Sequence, residues 1–568
     1  MGKRFYETEK LRDIRVLLKR GARLYSDRIA YKEVGPKKQI YEYKYSQLES
    51  DVDALGTKLL QMGMKGYHIA VLGENSYAWV VSYLTVVNGV GVVIPMDKEL
   101  TDEDICKLIV QSDTDAIICS DTFAQSVKNI LSACPNVKHC IVMNPKKEYP
   151  EFFNMKDLTN EGKELIEKGS REYLDADIDV EAVCEIVFTS GTTGANKGVM
   201  LSHKSIMAVV HGALSLIDAR GISFSVLPIN HTYECSCHIL GGIYSGITVC
   251  FNDSLKRVVD NMKLFKPNMT LMVPLFVESM YKKIWKEAEK NNLDKHLRYG
   301  IKVSNLIRKI GIDARRLFFK PVLKSFGGNL NQIVCGGAPL REEIIKGLSD
   351  FGIEILNGYG ITECGPLVST NSFIKKKPGS VGRIIPDCQV RIYDPQKRGY
   401  GEIQVKGDNV MLGYYKDEEN TKLSFTEDGW LKTGDLGYID KHNFLYINGR
   451  EKNLIILSNG KNVHPEEIED IITEKLNYVK EVVVYAPSSV DDFSECINAA
   501  VYIDEEFLTS NGIASARDKL NNDIRLLNRN LPAYKRIADV FISESEFEKT
   551  TTKKIKRALI LERSLEHA

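Results

Sequence analysis

Short apolar runs that alternate with helical patterns restrict the fold of this 568-residue chain more than any other feature. The runs are rich in β-branched residues and occupy positions 69–72, 92–94, 116–119, 140–143, 185–188, 225–227 and 332–335. Strands buried on both faces form such continuous runs, and parallel neighbours need a crossover connection that is usually a helix. The pattern therefore predicts an α/β fold with parallel strands.

The residue pattern of the sequence changes in its last third. From about residue 378, glycines and short alternating strands predict a small antiparallel β unit. After Arg450 the pattern is that of a compact α+β domain, with helices near 466–476 and 514–528 and strands at 481–485 and 497–503. We therefore predict a large N-terminal domain, residues 1–449, made of layered α/β subdomains and the small β unit. A small, mobile C-terminal α+β domain follows at residues 450–568.

Charge and cysteine usage exclude several classes of protein. The formal charge is zero, with 76 lysines and arginines against 76 aspartates and glutamates, which argues against nucleic-acid binding. The twelve cysteines contain no C-x-x-C pair, which argues against a zinc ribbon and suits a reducing compartment. We interpret the close group Cys235, Cys237 and His238 as packing residues. We expect a cytoplasmic protein, with peripheral contact to the inner face of the membrane left open.

Two segments bear on membrane contact. The uncharged stretch 75–96 approaches bilayer length, but Asn88, Gly89 and Gly91 interrupt it. We interpret it as an amphipathic helix at 77–87, a glycine turn and a buried strand at 90–94. The second segment, 281–324, is mostly helical in pattern and strongly basic. It is either a solvated helix face or an interfacial surface for anionic lipid or an amphiphilic substrate.

A run of small hydroxyl and glycine residues directly follows the strand pattern at 185–188. It consists of Thr189, Ser190, Gly191, Thr192, Thr193 and Gly194. Such residues cannot pack a core, but they can present N–H groups and hydroxyls to phosphate oxygens, and Lys197 adds positive charge. The spacing from Gly191 to Lys197 differs from that of a Walker P-loop, so a phosphate site of another class is predicted.

A second motif follows the apolar run at 353–356 and comprises Asn357, Gly358, Tyr359, Gly360, Thr362 and Glu363. The Tyr359 ring offers a flat face for a purine. Thr362 can donate to a phosphate, and the Glu363 carboxylate is a hard ligand suited to Mg²⁺. Taken alone, the motif is also compatible with a structural turn.

Three further motifs lie closer to the C-terminus. Asp435 stands in a glycine turn, where its carboxylate can chelate two ribose hydroxyls or merely shape a β turn. Arg450 can contact ribose or phosphate oxygens. The segment 549–557 is basic, which by itself indicates only a solvated or anion-binding tail.

In this order the five motifs resemble those of the adenylate-forming superfamily of acyl-CoA synthetases, adenylation domains and luciferases, over residues of about 20 to 560. The resemblance implies that the loop after Thr189 cradles pyrophosphate and that Asp435 binds ribose. It implies a domain-boundary arginine at Arg450 and a hinge at Lys452.

The catalytic lysine of that superfamily precedes an Ile-x-Arg sequence, which corresponds to Lys554. Lys553 stands where the superfamily has glycine and stays an alternative. The acyl-channel and adenine-side segments correspond to His231 and to Gly337, Ala338 and Pro339. The loop that contains Gly460 and Lys461 would border a tunnel for the pantetheine arm.

The resemblance implies an enzyme that uses ATP, Mg²⁺ and coenzyme A in two steps. A carboxylic acid is first converted to an acyl-adenylate with release of pyrophosphate, and its acyl group then passes to coenzyme A with release of AMP. The basic segment and residues 407–414 resemble bacterial long-chain fatty acid–CoA ligases, so we expect a medium- or long-chain fatty acid.

Two alternatives stay open at this point. One is an acyl-acyl carrier protein synthetase, or a ligase for an aryl or other specialised acid; any carrier would be a separate protein. The other is a non-catalytic nucleotide-binding scaffold on the same fold. Loss of Lys554, Glu363 or Asp435 would mark such a scaffold, and all three residues are present.

Overall fold

A computed structural model of the protein describes residues 6–190, 196–395, 400–457, 461–486, 496–510, 512–513, 515–549, 555–557 and 559–560. By contacts the chain divides into two units. The first comprises Met1–Val390 and Val405–Leu431, and the second comprises Arg391–Gln404 and Lys432–Ala568. The predicted domain boundary at 449/450 marks the proposed hinge and stays a prediction.

The α-helices of the described residues are α1 (Ile14–Tyr25), α2 (Tyr45–Gln61), α3 (Tyr77–Thr85), α4 (Asp102–Gln111), α5 (Ala124–Ile130), α6 (Met155–Glu167), α7 (His203–Leu214), α8 (Gly241–Ser245), α9 (Val258–Phe265), α10 (Pro274–Lys290), α11 (Asp294–Lys309), α12 (Arg315–Phe318), α13 (Lys320–Lys324), α14 (Glu342–Asp350), α15 (Glu418–Ser424), α16 (Pro465–Lys475), α17 (Glu505–Ser510) and α18 (Ala516–Asn530). Short 3₁₀ or π turns include Val86–Val90, Tyr233–Leu240, Thr362–Cys364 and Glu451–Asn453.

The strands are β1 (Ile29–Val34), β2 (Ile40–Lys44), β3 (Tyr67–Leu72), β4 (Gly91–Met96), β5 (Ala116–Ser120), β6 (His139–Met143), β7 (Phe153–Asn154), β8 (Val183–Ser190), β9 (Asn196–Ser202), β10 (Ile222–Ser225), β11 (Thr248–Phe251), β12 (Met269–Met272), β13 (Gln332–Cys335), β14 (Glu354–Tyr359), β15 (Ser369–Thr370), β16 (Arg383–Ile384), β17 (Cys388–Tyr393), β18 (Gly401–Gly407), β19 (Gly413–Tyr414), β20 (Leu431–Ile439), β21 (Leu445–Arg450), β22 (Ile455–Ile456), β23 (Asn462–Val463), β24 (Val479–Tyr485), β25 (Ile497–Ile503) and β26 (Ile537–Ile542).

Two large sheets form the first unit. One has nine strands in the order β16-β15-β14-β13-β12-β10-β11-β1-β2, and the other has eight in the order β19-β9-β8-β4-β3-β5-β6-β7. Pairing is parallel from β14 through β10 to β1 in the first sheet, and from β8 through β3 to β7 in the second. Six of the seven apolar runs thus become parallel strands covered by helices, and the α/β prediction is confirmed. The run at 225–227 overlaps β10 only at Ser225, so that strand lies a few residues earlier than predicted.

Local sequence explains where several helices begin. The Thr101 side chain caps α4, whose first turn carries three acidic residues that favour the positive helix N-terminus. Ser202 and Ser205 form a reciprocal capping box at the start of α7, directly after β9. Pro274 occupies the first position of α10, where a missing N–H costs no hydrogen bond. These caps fix where the strand–helix units turn.

The uncharged stretch 75–96 folds as a helix, a turn and strand β4, but its helix differs from the prediction. All nine residues of α3 are buried, so the helix is enclosed on every side rather than amphipathic with one exposed face. Trp79 and Tyr83 are fully buried and stack on each other. A helix enclosed by a large core needs no polar face. Among the described residues, no helix is both long enough and apolar enough to cross a bilayer.

The chain also forms a four-stranded sheet in the order β17-β18-β20-β21, in which β20 and β21 are antiparallel. The second unit contains a three-stranded sheet β24-β25-β26. Helix α16 packs against β24, and Ile468 and Ile472 are fully buried in the core of this unit. The strands predicted for the small β unit and the strands and helices predicted for the following α+β region are therefore present. The predicted helix near 514–528 is α18.

Candidate active site

Three groups of predicted site residues lie at one edge of the nine-stranded sheet. Strands β14, β13, β12 and β10 are consecutive and parallel, with Cys335 opposite Asn357. The segments that follow their carboxyl ends therefore meet at the same edge. These segments hold Tyr359 to Glu363, Gly337 to Pro339, and His231.

The segment around Tyr359 offers a free hydrogen-bond acceptor. The side-chain oxygen of Asn357 is buried and has no partner among the described residues, while the Asn357 carbonyl accepts from the Asn371 N–H at 2.8 Å. Tyr359 is partly buried, and Ala338 and Pro339 after the parallel neighbour β13 are exposed. A purine presents a flat ring with an amino donor, so these groups fit an adenine.

Gly360 is required by close packing rather than by the ligand. A Cβ on Gly360 would lie 1.8 Å from the carbonyl oxygen of Pro366. Gly337 has a φ of +88°, which favours glycine, and a Cβ there would make an ordinary van der Waals contact with Val273 Cγ1 at 3.5 Å. The two glycines therefore let the backbone turn at the sheet edge, and neither adds a side chain to the space there.

The predicted phosphate loop connects two strands of the eight-stranded sheet. Strands β8 and β9 form an antiparallel pair in which Thr189 lies opposite Lys197 and Ser190 opposite Asn196. Gly191, Thr192, Thr193 and Gly194 lie outside the described residues. The hairpin nevertheless places Lys197 beside the strand end from which the loop departs.

Lys197 is held in place by two contacts. Its Nζ donates to the Asn420 side-chain oxygen at 2.8 Å and lies 5.0 Å from the centre of the Tyr414 ring. Asn420 is itself oriented by Asp417, which accepts from the Asn420 amide and caps α15. The lysine charge is therefore fixed near the loop by a neutral partner, which leaves the charge uncompensated for an anion.

Glu363 joins the same cluster through Tyr414. The Tyr414 hydroxyl donates to Glu363 Oε1 at 3.0 Å, and strand β19 places Tyr414 next to Val199 of β9. Burial and the neighbouring Glu363 carboxylate raise the pKa of Tyr414, so the hydroxyl stays protonated. A continuous series of side-chain contacts therefore leads from the phosphate loop to the sheet edge, through Lys197, Tyr414 and Glu363.

The carboxylate of Glu363 fits a magnesium ligand that is completed by the substrate. One oxygen is engaged by Tyr414, and the described part of the chain contains no cluster of three or more aspartate, glutamate, histidine or cysteine side chains that could hold a metal. Mg²⁺ is commonly bound by one or two carboxylates together with phosphate oxygens and water. Glu363 is therefore suited to Mg²⁺ that arrives with a nucleotide.

His231 lies in a loop that is hydrogen-bonded to a residue of the eight-stranded-sheet region. Its Nδ1 accepts from the Tyr233 N–H at 3.2 Å. Just before it, Asn75 donates to the Leu227 carbonyl at 2.7 Å and accepts from the Ile229 N–H at 3.2 Å. Asn75 follows β3, so one amide side chain connects both sheets of the first unit beside His231.

The group around Cys235 forms a packed polar network. Nε2 of His238 lies 2.5 Å from the Ser223 hydroxyl, and its Nδ1 lies 2.8 Å from Glu234. All three side chains are essentially unexposed, and every cysteine of the protein is free. The interpretation of Cys235, Cys237 and His238 as packing residues agrees with this arrangement.

In the second unit, two predicted residues meet directly. Asp435 on β20 lies opposite Arg450 on β21, and Arg450 Nε lies 3.0 Å from Asp435 Oδ1. The Asp435 side chain is 6% exposed whereas that of Arg450 is 41% exposed. Desolvation and the adjacent Arg450 cation lower the pKa of Lys452. The pair can present a carboxylate and a guanidinium to one polar ligand.

The remaining predicted residues are only partly described. Lys461 Nζ lies 4.5 Å from the centre of the Tyr534 ring, but Gly460 lies outside the described residues. Lys553 and Lys554 also lie outside them. Their neighbours are anchored: Ile555 bridges to Lys549, and Arg557 forms an ion pair with Glu469 of α16.

Sequence reasoning missed Asn75, Tyr414 and Asn420. Each acts through a partner that is distant in the chain, and the separation between Lys197 and Asn420 is 223 positions. Tyr414 ends the glycine-bounded segment 407–414, which was noted only for its resemblance to fatty acid ligases. A sequence signal for the other two residues was absent.

Comparisons with known proteins agree with these features. A family model described as AMP-binding enzyme matches residues 18–415, and a model of the AMP-binding enzyme C-terminal domain matches residues 452–565. The long-chain-fatty-acid–CoA ligase 6 of Rattus norvegicus is 29% identical over 473 residues, which are 76% of this chain and 66% of the relative. The long-chain-fatty-acid–CoA ligase FadD15 of Mycobacterium bovis is 26% identical over 81% of this chain and 77% of the relative.

Solved structures share the fold. The anthranilate CoA ligase AuaEII in complex with anthranoyl-AMP covers 99% of this chain and 98% of its own, with a TM-score of 0.76 at 18% identity. At that identity the likeness concerns the fold alone. The chain spans about two thirds of the length of the rat relative.

Proposed function

The chain belongs to the AMP-binding enzyme family, and on this premise we propose that it is an AMP-forming acyl-CoA synthetase, an acid–thiol ligase. Its substrates are a medium- or long-chain fatty acid, ATP and coenzyme A. The observation that carries the proposal is the sheet edge of the first unit. There the free side-chain oxygen of Asn357 beside Tyr359 suits an adenine. The connected side chains of Lys197, Tyr414 and Glu363 suit the phosphates of ATP.

In the first half-reaction a carboxylate oxygen of the acid attacks the α-phosphorus of ATP. The bond from that phosphorus to the β-phosphate oxygen breaks, and pyrophosphate leaves. Negative charge builds on the phosphates, so fixed cations and donors stabilise the transition state. Lys197 and the hydroxyls of the loop hold the phosphates, and Lys554 contributes charge on the reacting side. Mg²⁺, held by Glu363, supplies further neutralisation of the phosphates when bound.

In the second half-reaction the thiol of coenzyme A attacks the acyl carbonyl. A C–S bond forms, the bond from the carbonyl carbon to the AMP oxygen breaks, and AMP departs while the thiol proton passes to solvent. Asp435 and Arg450 hold the ribose through both steps. Rotation at Lys452 withdraws Lys554, and the loop with Gly460 and Lys461 then borders the path of the pantetheine arm.

The choice of acid is supported by the similar proteins of Rattus norvegicus and Mycobacterium bovis, which are long-chain-fatty-acid–CoA ligases. A cytoplasmic location is supported by twelve free cysteines, which suit a reducing compartment. Both are proposals about this chain.

The deciding experiment is a panel of acids from C2 to C18, with aromatic acids included, assayed with ATP, Mg²⁺ and coenzyme A. We expect pyrophosphate and acyl-CoA to form fastest with medium or long chains. A parallel series offers an acyl carrier protein in place of coenzyme A, and a preference for the carrier or for an aromatic acid would replace the proposal with that activity. If ATP binds but no acid releases pyrophosphate, the enzyme assignment is overturned.

A further inference from the structure

The outer face of helix α11 carries apolar side chains that the fold leaves uncovered. Tyr299, Leu306 and Ile310, the last at the helix C-cap, are 71%, 66% and 75% exposed. They recur at intervals of seven and four residues, which places them on one side of the helix. Exposed apolar residues are ordinary when single, whereas three in a row form a stripe.

A row of cations runs beside this stripe. Lys295, Lys302 and Lys309 are spaced by seven residues and are all exposed. Within the residues that the structure describes, none of the three has an ion-pair partner; on α4, by contrast, Lys107 pairs with Glu103. We call these three lysines with Tyr299, Leu306 and Ile310 the α11 outer face. Lysines that flank an apolar stripe are typical of helices that lie in a membrane interface.

The inner side of α11 is fixed to the protein, so the outer face is held in one orientation. Ser304 is 1% exposed, and the Asn305 side chain donates to Asp350 of α14 at 2.9 Å. The Arg298 guanidinium lies 4.5 Å from the centre of the Trp285 ring of α10. The helix therefore has no means of turning its apolar stripe inward without breaking these contacts.

The surroundings continue the same chemistry. Ile312, in the loop after α11, and Leu317, on α12, are 56% and 77% exposed. Residues 291–324 hold nine lysines and arginines but two aspartates. One of these aspartates, Asp313, is paired with Arg315, which also reaches Glu354. The uncompensated positive charge is thus carried by exposed lysines next to exposed apolar groups.

We propose that the α11 outer face is a docking surface for an anionic lipid bilayer. Tyr299, Leu306 and Ile310 enter the boundary between headgroups and acyl chains, and the three lysines meet lipid phosphates. A second copy of the chain suits this face poorly, because a two-fold contact sets lysines against lysines. The inference concerns binding without turnover, so it stands or falls independently of the proposed ligase activity.

The test is co-sedimentation of the full-length protein with vesicles of phosphatidylcholine alone or with about 30% phosphatidylglycerol, without substrates. We expect binding to the anionic vesicles that weakens as salt is raised. Tyr299→Ser/Leu306→Ser/Ile310→Ser and Lys295→Glu/Lys302→Glu/Lys309→Glu should each weaken it by about tenfold or more. All six side chains are exposed, so unchanged thermal unfolding is expected.

Matched controls are Val110→Ser on α4, which is 52% exposed, and Lys146→Glu/Lys156→Glu, at exposed sites in the loop after β6 and on α6. They should bind like the wild type. The proposal is overturned if the wild-type protein does not co-sediment with anionic vesicles, or if both triple variants bind these vesicles as well as the wild type does. It is equally overturned by a wild-type dimer in sedimentation velocity that the triple variants abolish, since the face would then serve self-association.

Discussion

At the scale of single residues, the candidate site depends on how one tyrosine connects two charges. The Tyr414 ring lies under the Lys197 ammonium, and the Tyr414 hydroxyl donates to Glu363. A cation over an aromatic face and a hydrogen bond to a carboxylate are both strengthened by burial, and Tyr414 is 8% exposed. Tyr414 therefore sets the distance between the cation of the phosphate loop and the candidate magnesium ligand.

Tyr414→Phe removes the hydroxyl and keeps the ring. A hydrogen bond to a charged group contributes about 1.5–3 kcal/mol, so we expect pyrophosphate release to slow by about tenfold to a hundredfold. ATP binding through Lys197 should change little. The measurement is kcat and KM for ATP in the adenylation half-reaction.

The adjacent residue offers a matched control. The Tyr415 hydroxyl donates to Asp113 at 2.7 Å, and Lys416 lies 5.6 Å from the centre of the Tyr415 ring, so the same pair of contacts recurs without Glu363. Tyr415→Phe should leave kcat within about twofold. Equal losses in the two variants would remove the special role of Tyr414.

At the scale of elements, strand β8 carries both the start of the phosphate loop and a buried carboxyl. Glu185 is fully buried between β4 and β9. One of its oxygens accepts from the Tyr83 hydroxyl at 3.1 Å, and the other has no partner among the described residues. Burial raises the pKa of Glu185 to about 7.

This shift predicts the sign of a pH effect on stability. The folded protein keeps the Glu185 proton to higher pH than the unfolded chain, so Glu185 lowers the free energy of unfolding as pH rises from about 4.5 to about 7. The loss is on the order of 3 kcal/mol. Glu185→Gln keeps the shape without ionising and should be more stable than the wild type at pH 8, but not at pH 4.

Denaturant unfolding at both pH values measures this difference. Glu181→Gln, at an exposed site two residues before β8, serves as the control and should follow the wild type at both. If Glu185→Gln shows the same difference from the wild type at pH 4 and pH 8, Glu185 is not the titrating group.

Helix α16 illustrates positioning in the second unit. Glu469 of α16 pairs with Arg557, which anchors the chain directly after Lys554. Glu469→Gln keeps the size of the side chain but weakens the ion pair. We expect adenylation to slow by about tenfold, while thioester formation from supplied acyl-adenylate stays near the wild-type rate. Both rates are measured in single turnovers.

The same helix supplies the control for this prediction, because Glu467 forms an ion pair with Lys535 rather than with Arg557. Glu467→Gln should leave both rates unchanged. A Glu469→Gln variant that slows the two half-reactions equally would point to a loss of folding rather than of positioning.

An element could be predicted when the property that determines it is visible in the local sequence, and could not when it depends on contacts with distant residues. β3, β5 and β6 are buried apolar runs, a property visible in the local sequence, whereas α3 was misjudged because only tertiary contacts reveal that it is enclosed. The motif residues of the site were predicted from their own chemistry. Tyr414 and Asn420 were not, because a single sequence does not show which distant residues meet.

At the scale of the whole molecule, the two units carry different parts of the chemistry. The first unit holds the groups suited to adenine and phosphate, and the second holds Asp435, Arg450 and the candidate lysines. If rotation at Lys452 changes which face of the second unit serves the reaction, a residue of that unit can be needed in one half-reaction and dispensable in the other.

Lys554→Ala tests this separation. The positive charge of Lys554 is proposed to stabilise the phosphates only while the acyl-adenylate forms, so adenylation should fall by about a thousandfold. Thioester formation from supplied acyl-adenylate and coenzyme A should stay within about threefold of the wild type, because Lys554 is then withdrawn. Lys553→Ala is the matched control for the register, one residue earlier in the chain, and should leave both half-reactions nearly unchanged. If Lys553→Ala shows the selective loss instead, the active lysine is Lys553. If Lys554→Ala and Lys553→Ala each slow both half-reactions alike, neither lysine serves adenylation alone, and the proposed alternation at Lys452 is wrong.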